Sequence, residues 1–131
     1  MAFISVSIKH RQIIAEYIDA IVETLSKQGI QAKLFVDDYT FKASQENTMM
    51  KQSCADIKAC DFVIAEVSHK AVGVAVEVGY AIGIGKAVIY LRHENSEHST
   101  TISGISTHKL VYSSVDDIQK GLPKLIEQVL Q

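Results

Sequence analysis

The stretch DFVIAEVSHKAVGVAVEVGYAIGIGKAVIYL, residues 61–91, decides how this chain folds. It begins with a nearly continuous apolar run, Asp61–Val67, and it ends with another, Lys86–Leu91. Such runs are typical of strands that are buried on both faces of a parallel sheet. Two consecutive parallel strands need a crossover of about a dozen residues, which is nearly always a right-handed helix. We therefore predict a helix over Gly73–Gly83, although valines alternate there with other residues at the period of a strand.

The flanking sequence repeats this alternation of strands and helices. A short β-branched run, Phe3–Ile8, predicts a first strand, and apolar residues at helical spacing from Arg11 to a stop at Gly29 predict the helix that follows. The other predicted elements are a strand over Gln31–Val36, a helix over Glu46–Ala59, a strand over Lys109–Tyr112, and a closing helix that begins at Ser114 and is kinked or divided at Pro123. The pattern predicts an α/β fold, a three-layer sandwich around a five-stranded, mainly parallel sheet.

Length and composition narrow the possible functions. With 131 residues the chain has room for one domain, 1–131, and a hydrophobic content of 47% suits a packed core. Thirteen Lys and Arg residues against fifteen Asp and Glu residues give a net charge of −2, which is too balanced for a nucleic-acid partner. No apolar stretch approaches the roughly 20 residues of a membrane-spanning helix, and the N-terminus does not resemble a secretory signal. We expect a soluble cytoplasmic protein with no membrane partner.

The sequence also argues against dinucleotide and metal chemistry. The first strand-to-helix turn, residues 7–11, contains no glycine, so the G-x-G-x-x-G fingerprint of dinucleotide binding is missing there. The histidines form no helix-spaced pair for a metal, and Cys54 and Cys60 do not form a CxxC motif. We expect no metal and no other cofactor, and we interpret both cysteines as small core residues.

Two loops carry candidate ligand contacts, because ligands of open α/β sheets bind at the carboxyl ends of the strands. After the first strand, Ser7, Lys9 and Arg11 place a hydroxyl group and cations beside the start of a helix, which is a favourable place for one phosphate group. A solvated basic turn without a ligand explains these residues equally well. After the second strand, Tyr39 and Phe41 could stack on an aromatic base or serve ordinary packing.

Glu77 is the most unusual residue of the chain. It is the only charged residue between Ala71 and Gly85, and a valine stands on each side of it. Burial of a carboxylate costs on the order of several kcal/mol unless the group is paired or hydrogen-bonded, and carboxylates of this kind cluster at functional sites. We therefore predict a functional role for Glu77. The alternative is a solvent-facing residue that complements the helix dipole. Glu66 is a weaker functional candidate, and we expect it to be a loop-facing charge.

Residues 55–91 resemble the central segment of the nucleoside 2-deoxyribosyltransferase superfamily, in particular its 2′-deoxynucleoside 5′-phosphate N-hydrolase branch. The strand DFVIAEVS, the link that ends at Gly73, the Glu in VEVGYA and the next strand follow the order and spacing of that family. The first turn and the tail HSTTISGI, residues 98–105, match more loosely. The resemblance implies a flavodoxin-like enzyme, an N-glycosidase that cleaves the base–sugar bond of a nucleoside or a (deoxy)nucleoside 5′-monophosphate.

The resemblance also implies roles for individual residues. Glu77 would attack the anomeric carbon of the sugar, and water or a second base would then take up the glycosyl group, so that the enzyme is a hydrolase or a transferase. Ser7, with Lys9 or Arg11, would bind the 5′-phosphate, and the neighbouring subunit would supply Ser99 to the same phosphate. The protein would then be a homodimer or a higher homo-oligomer.

The sequence departs from the family pattern at two positions. Ser53 stands where the family usually carries an Asp that orients the sugar or the base, and Asp56, one turn on, could substitute for it. Phe3 stands where the family's first strand commonly offers a Tyr, and a phenyl ring cannot donate a hydrogen bond. Gly73 keeps its family position and is expected to contact the substrate. Altered substrate choice, slow chemistry, and a catalytically impaired nucleotide-binding or sensor protein on the same fold all remain open.

Overall fold

The computed structural model describes residues 1–131, and its five strands form one sheet in the order β2-β1-β3-β4-β5. The strands are β1 (Ala2–Ser5), β2 (Ala32–Leu34), β3 (Phe62–Glu66), β4 (Ala87–His93) and β5 (His108–Tyr112). The α-helices are α1 (Ala15–Lys27), α2 (Phe35–Asp38), α3 (Glu46–Ala59), α4 (Val72–Gly83), α5 (Thr100–Ile105) and α6 (Val115–Leu130). All neighbouring strands are parallel, and this strand order is that of a flavodoxin-like sandwich. The predicted α/β architecture is confirmed.

The direction in which the chain adds strands reverses between β1 and β3. From β1 the chain adds β2 on one side, and from β3 it adds β4 and β5 on the other. In this register Ile4 of β1 pairs with Leu34 of β2 on one side and with Ile64 of β3 on the other. A crevice forms outside the carboxyl ends of the strands at such a reversal, and it is the usual ligand site of open α/β sheets.

Two apolar layers cover the faces of the sheet. Strand side chains alternate between the faces, so Ile4 and Ile64 pack with residues of α1 and α6, whereas Phe3 and Val63 pack with residues of α3 and α4. All four strand residues are fully buried. The crevice described below lies on the side of α3 and α4.

Helix α4 is the crossover that the sequence predicts between β3 and β4. Its buried residues Val74, Val78 and Ala81 recur at helical spacing and face the sheet. The valine-rich sequence has the local propensity of a strand, but β3 and β4 are parallel neighbours and the segment between them must cross over the sheet. Topology therefore outweighs local propensity here.

The second strand is shorter than predicted. It ends at Leu34, and Phe35–Asp38 forms one helical turn instead of the end of a strand. This turn buries the ring of Phe35 against Phe3, with ring centroids 6.1 Å apart. The first strand also ends early, at Ser5, and a 3₁₀ turn follows over Ile8–His10.

The closing helix is not divided at Pro123, because α6 runs through that residue from Val115 to Leu130. An interior proline costs about 3 kcal/mol. The buried stripe of Ile118, Leu122 and Ile126 offsets this cost, since each buried side chain of this kind contributes about 1.5–3 kcal/mol. Ser114 caps the helix by accepting a hydrogen bond from the amide of Asp117.

The glycine that follows α1 has the conformation that the sequence predicts. Gly29 has a φ of +72°, as a glycine that ends a helix in the left-handed region does. Cys60 is buried, Cys54 is half-buried, and both are free thiols. None of the helices combines the length and the apolar character needed to cross a membrane. The short helix α5 was not predicted.

Candidate active site

Two serine side chains hold the carboxylate of Glu77 in place. Ser5 Oγ donates a hydrogen bond to Glu77 Oε1 at 2.7 Å, and Ser53 Oγ donates one to Oε2 at 2.7 Å. Ser5 is the last residue of β1 and Ser53 lies on α3, and each is only 1% exposed. Each carboxylate oxygen therefore has its own donor, and the group is fixed between α4, the central sheet and α3.

Burial raises the pKa of Glu77 above the usual value of a glutamate, and the hydrogen bonds from Ser5 and Ser53 lower it in part. Burial removes water that would stabilise the charge, whereas the two hydroxyl groups stabilise the charged form directly. The result is an oriented carboxylate with little hydration, and perturbed groups of this kind are common at active sites.

Glu77 and Ser53 line a cavity of about 630 Å³, which we call the Glu77 cavity. Ser7 and Lys9, from the turn after β1, and Gly73, from the first turn of α4, line it as well. The volume lies in the range of about 300–1,000 Å³ that small-molecule sites occupy. The structure thus brings five of the residues that the sequence singles out into one crevice at the carboxyl end of β1.

One side of the Glu77 cavity is an aromatic wall formed by Phe35, Tyr39 and Phe41. The ring centroid of Phe35 lies 5.0 Å from that of Tyr39 and 5.9 Å from that of Phe41, and the centroids of Tyr39 and Phe41 are 5.7 Å apart. Met49 and Met50 of α3 line the cavity beside them. Flat rings and polarizable thioethers favour contact with a planar aromatic ligand. The wall therefore offers a surface on which a base can stack.

Arg11 and Asp56 are held by other residues and do not line the Glu77 cavity. Arg11 forms a two-pronged contact with Asp37, with Nε to Oδ1 at 3.1 Å and Nη2 to Oδ2 at 2.9 Å. Asp56 Oδ1 accepts a hydrogen bond from Gln52 Nε2 at 2.8 Å. Lys9 is therefore the cation of the first turn that lines this cavity.

Ser99 lies outside the Glu77 cavity of its own chain. It precedes α5 and lines a second cavity of about 670 Å³, which adjoins the first. Its backbone amide donates a hydrogen bond to the hydroxyl of Tyr90 at 3.1 Å. A contact between Ser99 and a ligand beside Glu77 would therefore involve a second copy of the chain or a ligand that spans both cavities.

Sequence reasoning missed Ser5, which binds Glu77 directly. The residue is polar in a strand that is otherwise apolar and buried on both faces, and its alternation places it on the same face as Phe3. A buried hydroxyl group in such a strand needs a hydrogen-bond partner, so this isolated serine could have indicated a polar contact inside the fold.

The expectation for Glu66 was wrong, because this residue is 1% exposed. Its carboxylate accepts hydrogen bonds from the amide of Ser68 at 2.7 Å, from Ser68 Oγ at 2.9 Å and from the hydroxyl of Tyr112. Burial raises the pKa of Glu66, and these donors lower it in part. Glu66 lines neither cavity, and its hydrogen bonds with Ser68 anchor the loop that starts at that residue.

The sequence matches the family model described as nucleoside 2-deoxyribosyltransferase over residues 4–122. No curated protein matches the chain. One similar solved structure is a CMP N-glycosidase from Clostridium botulinum, with 21% identity and a TM-score of 0.70, covering 92% of this chain and 96% of that one. Another is a 2-deoxyribosyltransferase from Bacillus psychrosaccharolyticus, with 13% identity and a TM-score of 0.70, covering 91% of this chain and 90% of that one.

A third similar structure is a 3-dehydroquinate dehydratase-like protein from Bifidobacterium longum, with 11% identity, a TM-score of 0.56, and coverage of 99% of this chain and 95% of that one. At these identities a structural likeness shows that the fold is shared, but it does not show that the activity is shared. The family match rests on sequence and covers most of the chain, including the turn after β1, α3 and α4. The chain therefore belongs to the nucleoside 2-deoxyribosyltransferase family.

Proposed function

We propose that this protein is an enzyme that cleaves the bond between base and sugar in a nucleoside or a nucleoside 5′-monophosphate, with Glu77 as its nucleophile. The observation that carries the proposal is the Glu77 carboxylate itself, which lines a cavity of ligand size and receives one hydroxyl donor on each oxygen. Membership of the family supports the reaction class, and the similarity to the CMP N-glycosidase of Clostridium botulinum favours a nucleotide over a free nucleoside.

The reaction proceeds in two displacements. As the glycosidic C–N bond breaks, its electron pair leaves with the base, and a Glu77 oxygen forms an ester bond to the anomeric carbon. The base takes up one proton from water or from a neighbouring acid. Water then attacks the anomeric carbon and loses a proton to solvent, which releases the carboxylate and gives the sugar or, from a monophosphate, the sugar 5-phosphate. A second base in place of water would make the reaction a transfer.

Ser5 and Ser53 act as positioning residues in this scheme. Their hydroxyl groups fix the carboxylate and favour the charged form that the first displacement needs, whereas burial favours the neutral form. The carboxylate also stabilises the positive charge that develops on the sugar as the base leaves. Ser53 contacts Glu77 directly, so the position at which the family usually carries an Asp serves the nucleophile in this chain.

The rest of the Glu77 cavity suits the two ends of a nucleotide. The aromatic wall takes the base by stacking, whereas Ser7 and Lys9 bind the 5′-phosphate. Gly73 lies in the first turn of α4, where the helix dipole favours an anion. Arg11, bound to Asp37, orders the turn from outside the cavity.

A non-catalytic nucleotide-binding or sensor protein is the second candidate. It is favoured by Phe3, a buried residue without a hydrogen-bonding group where the family commonly has a Tyr. Such a protein would be stabilised against heat by nucleotides without turning them over. Measurement of base release together with thermal stabilisation separates the two candidates.

The test is chromatographic detection of free base from a panel of ribo- and deoxyribonucleoside monophosphates. We expect Glu77→Gln, which keeps the size of the side chain, to lower the rate of base release by about 10³-fold or more, as the loss of a nucleophile does. The matched control is Glu127→Gln, on an exposed position of α6, which should leave the rate unchanged. Equal rates for the parent protein and Glu77→Gln would refute the proposal.

A further inference from the structure

The second cavity, of about 670 Å³, has no part in the function proposed above. Its polar side chains include His10, His69, Lys70 and His98. It shares the segment from Lys70 to Val72, as well as Val74, with the Glu77 cavity. The two cavities are therefore neighbouring parts of one cleft that meet along the link before α4.

The lining of the second cavity favours an anion. Three histidines and one lysine line it, and Glu97 is the only carboxylate among its lining residues. Glu97 Oε1 lies 3.4 Å from Lys70 Nζ, but both side chains are largely exposed, at 73% and 81%, so this ion pair is weak and open to exchange. Lys70 is thus available to a ligand in either cavity.

Two of the histidines, His10 and His69, form a stacked pair. The rings of His10 and His69 are 4.0 Å apart with an interplanar angle of 9°. Imidazole nitrogens on two neighbouring rings can donate hydrogen bonds to an anion with several oxygens. His69 Nδ1 is buried without a hydrogen-bond partner, and buried polar atoms of this kind call for an explanation such as an absent ligand.

A single hydrogen bond connects this pair to the phosphate contacts of the Glu77 cavity. Ser7 Oγ, which lines the Glu77 cavity, lies 2.9 Å from Nδ1 of His10, which lines the second cavity. A phosphate bound at Ser7 would therefore lie one hydrogen bond away from the histidine pair. The next phosphate along a 5′-diphosphate could then reach the second cavity.

We propose that the second cavity is a subsite for a further phosphate group, so that this protein binds nucleoside 5′-diphosphates more tightly than the corresponding monophosphates. This inference rests on the proposed function for the position of the first phosphate. The second phosphate would accept hydrogen bonds from His69, His98 and Lys70, and the cleft would then bind a diphosphate across the link before α4.

Calorimetric titration tests the inference on Glu77→Gln, which binds ligand without turnover in the proposed scheme. The ligands are one nucleoside, its monophosphate and its diphosphate, together with inorganic pyrophosphate as a probe that lacks the nucleoside. We expect the diphosphate to bind about tenfold or more tightly than the monophosphate, as charge-assisted hydrogen bonds would give. A second protein carries His69→Gln and His98→Gln in addition to Glu77→Gln. We expect it to bind the diphosphate no more tightly than the monophosphate, with an unchanged affinity for the monophosphate.

The controls separate this inference from the proposed function. His98→Gln alone, at an exposed position, should reduce the preference in a protein that folds normally, and His108→Gln, outside both cavities, should not. Equal affinities for the two nucleotides, or equal losses of both in the double variant, would overturn the subsite. Pyrophosphate binding that depends on His69 and His98 would support the subsite even if the parent protein released no base, in which case only the proposed function fails.

Discussion

The hydroxyl groups of Ser5 and Ser53 determine how readily Glu77 gives up its proton. Burial raises the pKa of Glu77 and the two hydrogen bonds lower it, so removal of either hydroxyl should raise the pKa further. Because the nucleophile must be ionised, activity is lost as the pH falls through this pKa. The acid limb of kcat/KM should therefore move to higher pH in Ser5→Ala and in Ser53→Ala.

The pH profile of each variant checks this prediction. We also expect a rate loss of about 10-fold to 100-fold at neutral pH, because a hydrogen bond to a charged group contributes about 1.5–3 kcal/mol. Ser26→Ala, at an exposed position on α1, is the matched control and should keep the parent profile. An unmoved acid limb in both active-site variants would mean that the serines do not act through the charge of Glu77.

The sequence points to Glu77 but not to its partners. A lone carboxylate in a long apolar stretch is visible without a structure, because its burial needs compensation. Ser5 and Ser53 are separated from Glu77 by 72 and 24 positions in the sequence, and only the packing of β1 and α3 around α4 brings the three together. Arg11 is the opposite case. The sequence places this cation in the expected turn, but its guanidinium binds Asp37 and does not line the Glu77 cavity.

At the scale of elements, the loop between β3 and α4 is tied to the sheet by Glu66. The Tyr112 hydroxyl and Ser68 together satisfy the buried Glu66 carboxylate, and Ser68 Oγ also accepts a hydrogen bond from the amide of His93 at 2.8 Å. Tyr112→Phe would remove one of the two donors to Glu66 Oε2 and leave Ser68 Oγ as the other. We expect it to lower the free energy of unfolding by about 1–3 kcal/mol.

Urea unfolding measures this effect through a lower midpoint with an unchanged slope. Tyr80→Phe is the matched control, because the Tyr80 hydroxyl on α4 takes part in no side-chain hydrogen bond of the folded chain. If Tyr112→Phe unfolds at the same urea concentration as the parent protein, Glu66 does not depend on Tyr112 for its stabilisation.

The elements themselves could be predicted where a long-range rule applies. Helix α4 followed from the need for a crossover, and α3 has the predicted bounds, Glu46–Ala59. The turn at Phe35–Asp38 could not be predicted, because it depends on the contact of Phe35 with Phe3 in another strand. Helix α6 is not divided at Pro123, because its buried apolar stripe outweighs one interior proline.

At the scale of the whole molecule, several large apolar side chains remain exposed near the cleft. Val72 and Val76 on α4 are 83% and 47% exposed, and Ile8, in the turn after β1, is 70% exposed. Apolar patches of this kind often mark protein interfaces. We propose a homodimer in which this patch is covered and in which Ser99 of one copy reaches the cleft of the other.

Mixing two inactive variants tests that arrangement. If the cleft is shared, Glu77→Ala and Ser99→Ala should each be impaired alone, and a mixture that exchanges subunits should recover part of the activity, because one hybrid cleft is intact. Val76→Asp, which lines neither cavity, should shift sedimentation to the monomer. A mixture no more active than its components, together with a monomeric parent protein, would contradict the proposal.

A covalent bond between Glu77 and the sugar can be detected by trapping the intermediate. A nucleoside monophosphate that carries fluorine at the 2′ position slows both displacements by destabilising the positive charge on the sugar. We expect the intact mass of the protein to rise by the mass of the fluorinated sugar phosphate less one water and the modified peptide to contain Glu77, with no adduct on Glu77→Gln. Base release without any adduct, or an adduct on another residue, would show that Glu77 is not the nucleophile.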